Sequence, residues 1–553
     1  MPASIRTFDL SWSTPEGQPI LSNINLSFNQ ERVGIVGRNG VGKTSLLALL
    51  AGERQPVSGR ITTTGTIASL RQTLRVAPDK TIADLFGVTA DLAMLRRAES
   101  GDATVEDLAE ADWTLEDRIA SALARVGLDV ALDSPLAALS GGQRTRAAMA
   151  AAVLAAPEFL LLDEPSNNLD REGRAALLEL LSAWRAGAIV ISHDRELLDT
   201  MDAIVEMTSL GATRYGGNWT QYRERKATEL AAAHHDLDVA ERQLAEIARK
   251  SQVTLERKQR RDATGSRKGA RGDMPKILVG ARKERAQNSG ADNARLAERQ
   301  RADATAAALA ARGQIEQLET TTVHMAPTGL PAGKLVLALR NVTAGYDPLS
   351  PIFQNFSVSL VGPERVAVIG PNGSGKTSLL DLIMGRIAPW TGTVTRPCTT
   401  AMVDQTLAIL DPSLSIAENF HALNPGAGAF TCRSALARFQ FRADAALQPV
   451  RSLSGGQMLR AGLACILGSP TPPQLLILDE PTNHLDLDSI AAVEAGLLGF
   501  DGALLVVSHD EAFLRSIGVS RRIDLGEEGA LARLDVSPVP LSPADPVLPD
   551  AAR

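Results

Sequence analysis

Short, uninterrupted apolar runs recur along the chain. In the first half they are Val33-Gly-Ile-Val36, Phe159-Leu-Leu-Leu162 and Ile189-Val-Ile191; in the second, Val366-Ala-Val-Ile369, Leu475-Leu-Ile-Leu478 and Leu504-Leu-Val-Val507. Runs this short, bounded by Gly, Asp or Ser, read as buried strands. Between the halves the pattern changes. Leu230, Leu237 and Leu244, with Ile247, recur at heptad-like spacing in an Ala/Glu/Arg-rich background, and a weaker stripe ends with Ile315 and Leu318. No Phe, Trp or Tyr occurs from Arg223 to His324, which is too little bulk for a globular core. Two long helices packed on each other are expected there. Gly265, Gly269, Gly272, Pro275 and Gly280 are expected to break helical order between them.

Two of the strands lead into one and the same loop. Val366–Ile369 is followed by Gly370-Pro371-Asn372-Gly373-Ser374-Gly375-Lys376-Thr377-Ser378 and then Leu379-Leu-Asp-Leu-Ile383. Val33–Val36 is followed by Gly37-Arg38-Asn39-Gly40-Val41-Gly42-Lys43-Thr44-Ser45. Strand, glycine-rich loop and helix form the context in which G-x-x-x-x-G-K-[ST] cradles phosphate. Backbone N–H groups and the helix N-terminus face the anion, Lys43 and Lys376 reach the terminal phosphates, and Thr44 and Thr377 supply Mg²⁺ ligands. The chain is therefore expected to bind nucleoside triphosphate twice.

With 553 residues, two or more domains are expected. A net charge of −7 gives no global attraction to nucleic acid, so any such binding must be local. The three cysteines, Cys398, Cys432 and Cys465, have no metal-ligand spacing and suit a reducing compartment. Nothing resembles a signal peptide or a membrane span, so a cytoplasmic location is expected.

The loops sit inside a longer repeat. The first half continues with Leu139-Ser140-Gly141-Gly142-Gln143, then Asp163-Glu164-Pro165, Asn167-Asn-Leu-Asp170 and Ser192-His193-Asp194. The second continues with Leu453-Ser454-Gly455-Gly456-Gln457, Asp479-Glu480-Pro481, Asn483-His-Leu-Asp486 and Ser508-His509-Asp510. Glu164 to His193 and Glu480 to His509 are both 29 residues apart. On these residues each half resembles, over about 200 residues, the ATP-binding cassette family, whose signature is Leu-Ser-Gly-Gly-Gln.

Asp163 and Asp479 end buried strands, where a carboxylate can hold Mg²⁺ through water; Glu164 and Glu480 are placed to orient or deprotonate an attacking water. The resemblance implies that His193 and His509 are switch histidines for the γ-phosphate and that Gln72 and Gln405 sense Mg²⁺. It assigns adenine stacking to Tyr346 in the second half and to Trp12 in the first, with Phe8 competing. It also implies that each signature completes the opposite site. Lys43 would share nucleotide with Ser454 and Gly456, and Lys376 with Ser140 and Gly142. Both sites are expected to be competent, and Ser166 and Asn168, against Thr482 and His484, leave room for unequal rates.

Charge concentrates between the expected linker helices: 13 Lys or Arg stand against four acidic residues from Arg249 to Arg285. A solvated helix face usually mixes signs, so phosphate contact is expected here, mainly through Arg257, Lys258, Arg260, Arg261, Arg267, Lys268, Arg271, Lys276, Arg282 and Lys283. Two tandem cassettes around a linker of about a hundred residues resemble subfamily F of the family. So do Tyr215-Gly-Gly-Asn-Trp-Thr-Gln-Tyr222-Arg-Glu-Arg-Lys226 and the turn Met274–Lys283. The resemblance implies an ATP- and Mg²⁺-dependent ATPase that enters the ribosomal tRNA exit site, the linker tip touching tRNA and ribosomal RNA. ATP would close it for engagement and hydrolysis would release it.

The fold class expected is α/β, two P-loop cassettes joined by a long α-helical hairpin. The divisions are 1–222 and 326–535 for the cassettes, 223–325 for the linker and 536–553 for a disordered Pro-rich tail. A monomer with intramolecular cassette pairing is expected. Lys43 to Ser140 spans 97 residues against 78 from Lys376 to Ser454, and the extra length around Asp91–Asp112 suits a short ribosome-contacting arm. A translation factor is the first functional reading, a ribosome-protecting antibiotic-resistance protein the second, and the ATPase subunit of a membrane exporter the third.

Overall fold

The computed structural model describes residues 2–70, 80–167, 169–209, 211–269, 298–299, 301–309, 325–483 and 485–526. Gln72, Asn168, Arg271, Lys276, Arg282, Lys283, Ile315, Leu318, His484 and the expected tail 536–553 lie outside them.

In the first cassette, β1 (Ser4–Ser13), β2 (Pro19–Phe28) and β4 (Ser58–Thr64) form a three-stranded antiparallel sheet with β1 in the middle. A second sheet runs β5-β6-β7-β3-β8-β9, with β3 Arg32–Gly37, β5 Ile67–Leu70, β6 Phe159–Asp163, β7 Gly187–Ile191, β8 Ala203–Thr208 and β9 Gly211–Gly216. Its first five strands are parallel and β9 pairs antiparallel with β8. Every residue of β6 and β7 is buried, as continuous apolar runs in a parallel sheet covered on both faces require.

The second cassette repeats this plan. β10 (Leu335–Ala344) lies between β11 (Phe353–Val361) and β13 (Thr391–Thr395). A parallel sheet runs β14-β15-β16-β12-β17, with β12 Arg365–Ile369, β14 Thr400–Val403, β15 Leu475–Asp479, β16 Ala503–Val507 and β17 Arg521–Asp524. Phe353, Leu379, Leu380, Ile477 and Leu505 belong to the core that joins its two sheets. Phe420, Leu463, Phe500 and Phe513 fill a second core on the helical side.

This strand order positions the candidate chemistry. β3 lies beside β7, and β7 beside β6, all parallel, so the loop after β3, Asp163-Glu164 after β6 and His193 after β7 leave the sheet at one edge. β12, β15 and β16 do the same in the second cassette. Ligands of open α/β sheets bind at this carboxyl edge.

The cassettes form one compact unit and residues Thr220–Glu319 a second. In the second unit the helix Trp219–Gly269 runs for 51 residues. It passes through Gly265, which was expected to break it. A glycine in a helix interior costs only about 1 kcal/mol, which does not by itself end a helix. The buried stripe is also smaller than expected: Ala233 and Ala240 are buried while Leu237, Leu244 and Ile247 are half-buried on the same seven-residue spacing. His234 and His235 are exposed, as read from the sequence.

Candidate functional site

The two glycine-rich loops adopt one backbone. Gly40 and Gly42 have φ of 84° and 103°, Gly373 and Gly375 of 88° and 91°, the left-handed region that only glycine enters freely. Lys43 Nζ donates to the carbonyls of Gly37 (2.6 Å) and Arg38 (3.2 Å), and Lys376 Nζ to those of Gly370 (2.7 Å) and Pro371 (2.8 Å). Each ammonium thus lies curled within its own loop. Burial lowers the pKa of both lysines. The Thr44 hydroxyl bonds the Asp163 carboxylate, and that pairing of hydroxyl and carboxylate suits a hard divalent cation. Among the described residues no group of three or more His, Cys, Asp or Glu gathers into a metal site, so an ion here would need ligands from the nucleotide as well.

The residues after β6 and β15 share an uncommon backbone. Glu164 and Glu480 have φ of 50° and 46°, a strained value for a non-glycine residue, repeated at equivalent positions. Oε1 of Glu164 lies 3.2 Å from His193 Nε2, and that of Glu480 lies 3.5 Å from His509 Nε2. Neither contact has hydrogen-bond geometry, so among the described residues Nε2 of His193 and Nε2 of His509 are buried without a hydrogen-bond partner. Burial pushes Glu164 up to about 8 and Glu480 up to about 7, against the pull of Lys43 and Lys376. It holds His193 down to about 3 and His509 down to about 4, keeping both rings neutral, and raises Asp479 to about 6. In its ionised form such a carboxylate is basic enough to take a proton from water.

Two cavities surround these groups. One, of about 650 Å³, is walled by Asn372, Gly373, Gly375, Lys376, Thr377, Ser378, Tyr346, Gln405, Asp479, Glu480 and His509 of the second cassette and by Ser140, Gly141 and Gly142 of the first. The lysine loop of one half and the signature of the other therefore face a common space, within the range of ligand pockets. The other cavity, of about 600 Å³, is walled by Trp12, Asn39, Gly40, Gly42, Lys43, Thr44, Ser45, Asp163, Glu164 and His193. Ser454, Gly455, Gly456 and Gln457 are not among its walls. The second cassette reaches this site by another route: Asp486 accepts from the Asn39 N–H at 2.9 Å, and Asp488 pairs with Arg38 at 3.0 Å.

Both signatures are helix starts. Ser140 accepts from the Gln143 N–H while Gln143 accepts from that of Ser140, and Ser454 and Gln457 repeat the box. The side chains satisfy the helix ends, and the small residues Gly141 and Gly142 line the cavity.

Of the aromatics, Tyr346 is 70% exposed and receives the Ser378 hydroxyl at 3.4 Å. Trp12 lines the first cavity with the Arg54 guanidinium 4.7 Å from its ring centre, and Arg54 also donates to Ser45. Phe8 lies outside this cavity's walls, under Arg60. Of the linker cations, Arg257 is exposed; for Lys258, Arg260, Arg261, Arg267 and Lys268 the structure describes backbone only.

Sequence reasoning missed the polar seam between the cassettes. Arg195 makes a two-pronged pair with Glu494 at 2.8 and 3.0 Å, both side chains nearly buried. Arg515 reaches Glu196 at 3.1 Å, and Arg174 bonds both Asp194 and the His509 carbonyl. These residues follow the aspartates that cap helices, and only their proximity to the repeated motifs marked them.

The family described as ABC transporter matches residues 21–167 and 353–483. The chain is 31% identical over 551 residues to the tylosin resistance ATP-binding protein TlrC of Streptomyces fradiae, covering 92% of this chain and 95% of that one. It is 30% identical over 524 residues to the energy-dependent translational throttle protein EttA of Mycobacterium tuberculosis, covering 90% and 87%. Among solved structures, the archaeal ribosome recycling factor aABCE1, in complex with the archaeal ribosomal stalk protein aP1, matches with a TM-score of 0.54 at 18% identity over 94% of this chain and 88% of that one. That identity bears on the fold alone. Two matched nucleotide-binding domains, and relatives that align over nearly the whole chain, establish it as a tandem-cassette member of the ATP-binding cassette family, subfamily F.

Proposed function

We propose that the chain is an ATPase clamp that binds two ATP molecules, closes its cassettes around them and engages the ribosome at the tRNA exit site, with the basic linker against tRNA and ribosomal RNA. One observation carries the reading: the Lys376 loop and Ser140–Gly142 of the other cassette wall one cavity, so a nucleotide there would be held from both sides. Lys43 and Lys376 would leave their loop carbonyls for phosphate oxygens. Thr44 with Asp163, and Thr377 with Asp479 and Gln405, would hold the accompanying Mg²⁺, which neutralises phosphate charge when bound. Glu164 and Glu480 would take the proton of the attacking water, with His193 and His509 neutral beside them. Hydrolysis would remove the charge that holds the halves together, and the clamp would part.

The relatives support the ribosomal assignment through a translational throttle protein. The test replaces Glu164 and Glu480 together with Gln. With ATP the double variant should cosediment with ribosomes at physiological salt and show no ATPase activity; a variant that sediments free of ribosomes refutes the reading. A drug-protecting role on the same machinery is the second reading, favoured by the match across 95% of the tylosin resistance protein. Tylosin tolerance in cells with and without the protein separates the two. Among the described residues no helix is long and apolar enough to cross a membrane, and an exporter role would leave the basic linker without a purpose.

A further inference from the structure

Arg174 lies on the helix Arg171–Ala183 of the first cassette, with its side chain 12% exposed. One guanidinium nitrogen donates to Oδ2 of Asp194, the residue after His193, and another to the backbone carbonyl of His509 in the second cassette. The side chain thus connects the loops that carry the two histidines. It also lines the cavity of the Lys376 loop. The repeat makes this arrangement one-sided. Asp170 and Asp486 each cap the helix that follows, and four residues further on stand Arg174 and Ile490. Ile490 is buried, walls the same cavity and has no polar group to offer.

We propose that Arg174 is a positioning residue of the second ATP site: supplied by the opposite cassette and braced on Asp194, it fixes the His509 backbone and with it the stance of His509 toward Glu480. Ile490, at the equivalent position of the repeat, offers the first site no such brace, so hydrolysis there is less dependent on cassette pairing. A planar guanidinium meets two acceptors at fixed angles, whereas an ammonium on a flexible stem does not. Its anchor is firm because Asp194 also caps the helix Arg195–Leu198.

This inference rests on the proposed ATP hydrolysis at the Lys376 site. Single-turnover ATPase of the full chain tests it, with Glu164→Gln isolating the second site and Glu480→Gln the first. In the Glu164→Gln background, Arg174→Met should lower the rate constant on the order of 10- to 100-fold, with ATP affinity within about twofold. Arg174→Lys should restore only part of the rate, and it serves as the readout if the methionine variant fails to fold. In the Glu480→Gln background the rate should change by less than about threefold. Equal losses in both backgrounds, weaker ATP binding at an unchanged rate, or no change would overturn the assignment. If the Glu164→Gln protein with Arg174 intact shows no hydrolysis that Lys376→Ala removes, the ATPase reading itself falls and this inference with it.

Discussion

Glu164→Gln should make the nucleotide-free protein more stable at alkaline pH, and the size of the gain follows from the structure. Burial holds the Glu164 carboxyl at about 8 and the Glu480 carboxyl at about 7, above the ordinary 4.5. A raised carboxyl favours the folded state while protonated, so its contribution is complete below pH 4.5 and fades as pH rises through the folded value. The histidines run the other way. Held down at about 3 and 4, His193 and His509 contribute in full above pH 6.5 and lose that contribution as pH falls. The window above pH 6.5 therefore isolates the glutamates. At about 1.4 kcal/mol per unit, the wild-type chain should lose on the order of 2 kcal/mol through Glu164 between pH 6.5 and 8, and about 0.7 kcal/mol through Glu480. Gln keeps the shape and cannot ionise. The effect of Lys376 cancels to first order in the difference between variant and wild type, while Lys43 faces Glu164 and titrates with it as a pair. For a domain of about 200 residues, 2 kcal/mol corresponds to roughly 4–8 °C in Tm. Thermal unfolding at half-unit steps from pH 6.5 to 9 reads it out. Parallel curves for Glu164→Gln and wild type would refute the argument, since an ionised, solvated Glu164 gives no such divergence.

Arg195→Ala and Glu494→Ala each leave a nearly buried charge alone, so each should destabilise the paired cassettes by about 3–5 kcal/mol, and the double variant by much less than the sum; denaturant titration of the four proteins checks this. Asp488→Asn removes an exposed pair worth about 0–1 kcal/mol and should barely change nucleotide affinity at the first site, whereas Asp486→Ala removes the buried acceptor of Asn39 and should weaken it by about fivefold or more, as fluorescent-nucleotide titration would show. Neutralising Arg257, Lys258, Arg260 and Arg261 should lower ribosome affinity and flatten its salt dependence by up to about three units of slope, with basal ATPase intact; an unchanged slope removes the linker's assigned role.

Much of this architecture was legible in the chain because its demands are local. Glycines at positive φ in the loops, buried five-residue strands and serine caps three residues before glutamine each answer to neighbours within a few positions. The helix through Gly265 went beyond that reading, since one interior glycine costs only about 1 kcal/mol. The alanine stripe was also missed, because heptad spacing locates a seam without saying how closely it packs.

By itself, then, the sequence determined the two nucleotide-binding domains, their repeat and the groups at each sheet edge. Folding decided which groups meet across the halves. Asn39 finds Asp486, Arg174 finds His509, and Arg195 finds Glu494. Such partners are hundreds of residues apart and are chosen by the packing of two curved surfaces, which no periodicity records. The strained backbone of Glu164 and Glu480 belongs with them, because only surrounding structure can hold a residue where its own preferences would not.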